Sequence, residues 1–161
     1  MSEPSTQSSV HEVFIYLCVR GGEDAIAFYT RVFGARETLR LQEPGGRIAH
    51  AELQLGPATL MLADEHPELG ILSPLSHGGT GTIIHLHVDD VDVHAARAVE
   101  AGGTLVSGPA DQGHGERQCR IRDPFGHEWL LGNPVGEPLS ADEIWRRFQQ
   151  AGGPASPSPE S

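Results

Sequence analysis

Four polar side chains in strand-like segments have the chemistry to bind a metal ion: His50, Glu52, His85 and His87. Imidazole nitrogens and a carboxylate from converging strands satisfy a three-ligand catalytic metal centre. Residues two apart on one strand, however, lie about 6–7 Å from each other and do not routinely share one ion. The same side chains could instead form the hydrogen-bonded lining of a ligand cavity, and the sequence leaves both interpretations open.

Acid–base catalysis is the other chemistry that these residues offer. Histidine titrates near neutral pH, so His50 or His85 could exchange a proton with a bound ligand. The candidate catalytic residues are therefore His50, Glu52 and His85. No nucleophile accompanies them in the sequence, so the pattern does not decide between catalysis and binding.

The elements that position these residues occur twice along the chain. A shift of 69 positions aligns Phe14 with Ile83 and Gly34 with Gly103. A repeat of this length matches a whole supersecondary module and is too long for a solenoid unit. We therefore expect two similar modules within the 161 residues of the chain.

Each copy predicts the element order βαβββ. Apolar alternation indicates the strands, and an apolar helical period that ends at glycine indicates one helix in each copy. The first module, 12–64, has predicted strands at 13–19, 37–42, 47–55 and 58–63 and a helix at 23–33; the second, 82–133, has strands at 82–88, 104–107, 117–122 and 128–131 and a helix at 91–101. Residues 64–81, rich in proline and glycine, are the predicted linker.

The C-terminal segment 136–150 contains the signal of a further helix. Ser140 and Glu143 have the spacing of a capping box at a helix start. Ile144, Trp145 and Phe148 would then form a buried stripe that covers a sheet edge, with a dimer contact as the alternative. The Ser/Pro/Gly-rich ends, 1–10 and 151–161, have too little apolar surface to repay ordering and are expected to be disordered.

One face of each predicted sheet should line a cavity. Side chains alternate along a strand, so the aliphatic positions pack below the helix and leave a mixed face opposite. This division turns Ala49 and Ala51 towards the helix and leaves Ile48 on the mixed face; it places Trp129 on the helix side and makes Tyr16 the candidate for stacking on a ligand. The predicted lining comprises Phe14, Tyr16, His50, Glu52, Met61, Ile83, His85, His87 and Leu130.

Composition argues against several classes of protein. With 22 acidic and 11 basic residues the net charge is −11, which repels phosphate backbones and argues against a nucleic-acid partner. No apolar stretch is long enough for a membrane span and no signal-peptide pattern begins the chain, so we expect a cytoplasmic protein with no membrane partner. Cys18 and Cys119 lie in apolar segments and are expected to be buried, reduced thiols.

Several short motifs resemble those of one family. They are AIAFYTRVFGA in the first helix, GRIAHAEL and LMLADE in the first module, and HLHVDDVD and RDPFGHEW in the second. With the paired modules they resemble the vicinal oxygen chelate superfamily, and within it the glyoxalase/bleomycin-resistance and PhnB-like branch. The resemblance implies an α+β fold over 11–135, in which two tandem βαβββ modules curl their mixed sheets around a cavity, followed by the C-terminal helix.

The resemblance also implies where a metal would bind. In metal-using members the ligands come from the first and last strands of each module, and the matching residues here are Phe14, Met61, Ile83 and Leu130. None of these side chains binds a hard or borderline divalent cation. We therefore expect no metal and no other cofactor, which disfavours glyoxalase I, extradiol dioxygenase and fosfomycin transferase activities.

Two functions are consistent with this resemblance. The preferred one is metal-independent binding or sequestration of a small organic molecule in the cavity between the modules. The alternative is a metal-dependent lyase, isomerase or dioxygenase that uses the displaced His/Glu cluster, and a protein-interaction module would follow if the cavity were filled by its own side chains. A homodimer is expected, because open sheet edges favour pairing.

Overall fold

The structure is a computed structural model that describes residues 8–151. The predicted disordered segments, 1–10 and 151–161, lie almost wholly outside these described residues. The strands are β1 (Ile15–Val19), β2 (Arg36–Gln42), β3 (Ile48–Leu55), β4 (Ala58–Asp64), β5 (Ile83–His87), β6 (Thr104–Asp111), β7 (Glu116–Arg122) and β8 (Glu128–Pro134). The helices are α1 (Gly22–Phe33), α2 (Pro74–His77), α3 (Val91–Glu100) and α4 (Ala141–Gln150).

Two compact units divide the chain between His77 and Gly78. Each unit contains a four-stranded mixed sheet, with the order β1-β4-β3-β2 in the first unit and β5-β8-β7-β6 in the second. In both sheets the first strand pairs parallel with the last, and the remaining neighbours are antiparallel. The structure thus confirms the predicted α+β class, the duplicated βαβββ order and the C-terminal helix.

In the first unit, the carboxylate of Asp64 fixes the start of α1. Its Oδ1 accepts hydrogen bonds from the backbone N–H groups of Gly21 and Gly22 at 2.9 and 2.7 Å, and its Oδ2 accepts one from Ile48 at 2.7 Å. The first N–H groups of a helix have no partner within the helix. A carboxylate at this end accepts hydrogen bonds from them, and its negative charge interacts favourably with the helix dipole. Asp64 therefore joins the end of β4 to α1 and β3.

In the second unit, a buried corner joins β7 to β8. Asp123 is 3% exposed; its Oδ1 accepts from the backbone N–H groups of Phe125 and His127, and its Oδ2 accepts the indole N–H of Trp129 at 2.9 Å. Trp129 is fully buried, which confirms the prediction that it packs in the core. The Asp-Pro-Phe-Gly segment is thus a structural turn whose carboxylate orients a core tryptophan.

Two sequence predictions about packing are wrong. Ile48 is fully buried and Ala49 is exposed, because the start of β3 turns Ile48 against the first turn of α1. On α4, Trp145 and Phe148 are 57% and 48% exposed and stack on each other instead of forming a buried stripe. An amphipathic pattern predicts an apolar face of a helix but does not supply the surface that covers it.

The two cysteines are free thiols in different surroundings. Cys119 is buried, as predicted, whereas Cys18 is only half-buried. Burial raises the pKa of both thiols to about 11, so both are protonated at neutral pH. Within residues 8–151, none of the helices is long and apolar enough to cross a membrane.

Candidate functional site

The candidate site lies on one face of the second sheet, where polar and apolar side chains stand in register. Side chains that share a face on neighbouring strands pair directly across the sheet. His85 is opposite Leu130 and Leu130 is opposite Arg120; one step along, His87 is opposite Gly132. We call this surface the open face, because Ile83 is 44% exposed there and the side chains of His85 and His87 are 43% and 62% exposed.

Three ligand-type side chains meet on the open face, and we call them the histidine cluster: His85, His87 and Glu116. His87 Nε2 lies 2.6 Å from Glu116 Oε1, and His85 Nε2 lies 3.8 Å from Glu116 Oε2. One donor atom from each residue lies within 4.8 Å of the other two. Residues two apart on one strand are separated by about 6–7 Å at the backbone, but the imidazole side chains are long enough to bring their nitrogens closer together.

Further polar groups hold the carboxylate of Glu116. Gln118 Nε2 donates to Glu116 Oε2 at 2.6 Å, and His114 Nε2 lies 3.6 Å from the same oxygen. Burial raises the pKa of Glu116, but the hydrogen bond from Gln118 and the interaction with His87 outweigh burial, so the pKa lies below its ordinary value. Glu116 is therefore ionised at neutral pH, as a metal ligand or an anchor for a cationic group must be.

Gly132 makes room for the cluster at the centre of the sheet. It lies on β8 between His87 of β5 and Gln118 of β7. A Cβ atom at this position would lie 2.9 Å from Glu116 Oε2 and 3.2 Å from His85 Nε2. The imidazoles from β5 and the carboxylate from β7 thus meet over a position of β8 that has no side chain. Glycine in the interior of a strand weakens the strand. It is therefore often found where another group has to approach the backbone closely.

A basic group lies beside the apolar part of the open face. The guanidinium groups of Arg120 and Arg122 both donate to the carboxylate of Glu128, which is 6% exposed. These hydrogen bonds outweigh burial and lower the pKa of Glu128. Since one buried carboxylate is shared by two half-exposed guanidiniums, this end of the face keeps a net positive charge that suits an anionic group on a ligand.

The corresponding face of the first sheet has different chemistry. Tyr16 is 53% exposed and its ring centroid lies 5.8 Å from that of His50. His50 Nε2 lies 3.1 Å from Glu52 Oε1, and Met61 lies between Tyr16 and Glu52 in the sheet. This face is an aromatic and polar surface with one His–Glu pair. The predicted group of His50, Glu52, His85 and His87 is thus distributed as one pair in each unit.

The sequence interpretation missed part of the second unit's site. Glu116, Gln118 and Arg120 alternate with the buried residues Cys119 and Ile121 along β7, and this period of two was a signal that could have placed them on the open face. Glu116 escaped notice because the predicted strand began one residue later. No sequence pattern indicates the role of Gly132, because this role depends on which residues lie opposite it in the neighbouring strands.

The positions at which the resemblance implies metal ligands contain no suitable donors. Phe14 and Ile83 are hydrocarbon and partly exposed, Leu130 is hydrocarbon and half-buried, and Met61 offers only a soft thioether. These residues do not fit the divalent metal that metal-using members of the family hold. The histidine cluster lies further along the same sheet, on β5 and β7, and does not coincide with Ile83 and Leu130.

Comparison with known proteins agrees with this duplicated architecture. A model of the glyoxalase/bleomycin resistance protein/dioxygenase superfamily matches residues 10–131. The chain belongs to this superfamily. Uncharacterized proteins of Mycobacterium bovis and Mycobacterium tuberculosis are 41% identical to it over 140 residues, which cover 85% of this chain and 91% and 82% of theirs.

Solved structures of the superfamily fold extend the comparison. TioX from Micromonospora is 30% identical, with a TM-score of 0.60 over 78% of this chain and 100% of that one. An Arabidopsis thaliana gene product is 26% identical, with a TM-score of 0.63 over 77% of this chain and 99% of that one. The fosfomycin resistance protein FosX of Listeria monocytogenes, complexed with Mn(II), is 19% identical with a TM-score of 0.61 over 88% and 99% of the chains, and this likeness concerns the fold alone.

Proposed function

We propose that this superfamily member binds a small organic molecule on the exposed sheet faces, with the open face of the second unit as the main contact surface. The observation that supports this is the order of side chains on that face. Apolar Leu130 lies between His85 and Arg120 across the sheet, and apolar Ile83 precedes His85 on β5, where Glu128 separates it from Arg122. Ligand sites combine an apolar surface with a few polar groups that fix orientation.

The chemistry of the face limits the ligand class. An apolar body would cover Ile83 and Leu130, and an anionic or hydrogen-bonding group would reach Arg120 or the imidazole of His85. The first unit's Phe14, Tyr16, His50, Glu52 and Met61 supply a second such surface, with an aromatic ring for stacking. Membership of the PhnB-like branch is part of this proposal, and a cytoplasmic location stays a prediction from the sequence.

A homodimer is the assembly that this proposal favours. Phe14 and Tyr16 in the first unit and Ile83, Trp145 and Phe148 in the second are between 44% and 57% exposed. Large apolar side chains exposed in groups are typical of surfaces that bind a ligand or a protein. A second copy of the chain is the partner that closed two-fold symmetry makes most common.

Ligand binding can be tested on the apolar part of the open face without touching the histidine cluster. We expect the full chain to bind the fluorescent probe anilinonaphthalene sulfonate, and Ile83→Glu to weaken binding about 10-fold or more, because a carboxylate would be buried against the probe. Val99→Glu is the matched control, since Val99 is similarly exposed at 49% but lies on α3.

Two results would contradict the proposal. Equal probe affinity in Ile83→Glu and Val99→Glu would remove the open face from the binding surface. Loss of binding in Trp145→Ser alone would move the ligand to the exposed side of α4. Circular dichroism of each variant checks that the fold is retained.

An enzyme is the second candidate function, and the histidine cluster favours it. A metal-dependent lyase, isomerase or dioxygenase needs ligands on one surface, and His85, His87 and Glu116 provide three within one unit. His50 or His85 would be the candidate acid or base, with Glu52 paired to His50. Turnover of a substrate by the metal-loaded protein, and its loss on removal of the metal, would favour this candidate over binding alone.

A further inference from the structure

We propose that His85, His87 and Glu116 bind one first-row divalent cation of the zinc type, at a site distinct from the positions that the superfamily uses. This site does not depend on the organic ligand, because its donors are protein atoms of a single unit. The sequence-based expectation of no metal rested on Phe14, Met61, Ile83 and Leu130, and it took no account of Glu116.

The donor set matches the chemistry of such a cation. Two imidazoles and one carboxylate are the three protein ligands of a class of catalytic zinc sites, in which a fourth position stays open. Hard cations such as Ca²⁺ and Mg²⁺ prefer an all-oxygen set, which this cluster lacks. The exposed side chain of His87 leaves the remaining coordination position accessible to water or a small ligand.

The distances fit after small side-chain rotations. Zinc bonds of about 2.0–2.1 Å in tetrahedral geometry place ligand atoms about 3.3 Å apart. Glu116 Oε1 lies 2.6 Å from His87 Nε2, and Glu116 Oε2 lies 3.8 Å from His85 Nε2. These two separations lie on either side of the required one, and one ligand atom from each of the three residues lies within 4.8 Å of the other two.

Two surrounding features indicate a built site and not a chance meeting of surface groups. Gln118 donates to Glu116 Oε2 at 2.6 Å and so orients the carboxylate, as second ligand shells do. Gly132 leaves the space that a Cβ atom would fill at 2.9 Å from Glu116 Oε2.

The first unit provides an internal comparison. Where the second sheet has His85, His87 and Gly132, the first has Tyr16, Cys18 and Ala63 at the matching register. Burial raises the pKa of the Cys18 thiol to about 11, so it is not a thiolate ligand. Within residues 8–151, the duplicated module therefore has the cluster in one copy only, together with the glycine that accommodates it.

The test uses the tag-free full chain, stripped of metal with a chelator that is then removed, and titrated with Co²⁺ alone by visible absorption. We expect saturation at one Co²⁺ per chain and displacement of Co²⁺ by Zn²⁺. Loss of an outer partner of a metal site typically weakens binding about 10–100-fold, so loss of a direct ligand in Glu116→Gln or His87→Ala should weaken it at least about 100-fold.

Two further variants separate the cluster from other histidines and from misfolding. His94→Ala, which removes a partly exposed imidazole on α3, should leave Co²⁺ affinity unchanged. Gly132→Ala should weaken Co²⁺ binding although all three ligands remain. If Gly132→Ala fails to fold, His87→Ala still tests the site, because His87 is exposed and its replacement should not disturb the fold. The absence of saturable binding, unchanged affinity in Glu116→Gln, or an equal loss in His94→Ala would each overturn the proposal and leave the organic-ligand site unaffected.

Discussion

Gly22, the first residue of α1, packs directly against Ile48 at the start of β3. A Cβ atom on Gly22 would lie 2.7 Å from Ile48 Cγ1 and 2.8 Å from Asp64 Oδ2, both shorter than side chains tolerate. The hydrogen bonds of Asp64 to Gly22 and Ile48 hold the three residues together. This contact fixes the helix to the sheet that carries His50 and Glu52.

Gly22→Ala should therefore destabilise the protein by about 1–3 kcal/mol, the usual cost of overpacking. In a helix without this contact, alanine would stabilise relative to glycine by roughly 0.5–1 kcal/mol, so the sign of the effect isolates the clash. Urea unfolding followed by far-ultraviolet circular dichroism measures it. Gly45→Ala is the matched control, because a Cβ atom there meets nothing within 4 Å; an equal midpoint for both variants would contradict the packing argument.

The stability of the first unit should depend on pH through His66, which is 7% exposed. Its Nδ1 lies 2.8 Å from the carbonyl oxygen of Asp64 and its Nε2 lies 2.9 Å from Glu43 Oε1. Both neighbours are acceptors, so the doubly protonated ring fits best, and the hydrogen bond to Glu43 raises the pKa of His66 above 6.5. The stabilisation of the folded protein by protonated His66 is fully present below pH 6.5, and it is lost as the pH rises through the folded-state pKa of this residue.

An NMR titration of the histidine side chains tests this assignment. We expect the pKa of His66 to lie above its ordinary value in the native protein and to fall in Glu43→Gln, because the charged partner is removed. Glu37→Gln is the control, since Glu37 pairs with Arg40 and leaves Glu43 in place. A His66 pKa that is the same in Glu43→Gln as in the native protein would exclude Glu43 as the cause.

We expect the protein to be a homodimer in solution. Light scattering at micromolar concentration should give twice the 17.2 kDa of one chain, because the exposed apolar side chains of both sheets and of α4 favour association. A mass of one chain under the same conditions would reject the homodimer. If a dimer forms, Trp145→Ser distinguishes a contact through α4, which would weaken it, from one through the sheet faces, which would not change.

The sequence by itself determined the duplication, the element order and most of the two sheet faces. A repeat of 69 positions is a property of the chain, and alternation along a strand assigns a face from local spacing alone. His85 and His87 were therefore placed together on the correct strand, and Trp129 on the buried side. The face on which a side chain lies can be inferred from sequence in this way, because it depends only on spacing within one strand or helix.

Only the tertiary structure decided which residues meet. Glu116 reaches His87 across β8, and Gly132 leaves room for the cluster there. Both facts depend on how β5 is aligned with the β7–β8 pair, which lies about 30 residues or more further along the chain. The exposure of Trp145 and Phe148 likewise depends on whether another surface lies against α4. Periodicity specifies the direction of a side chain relative to its own element, whereas the neighbour that it contacts is set by the packing of other elements around it.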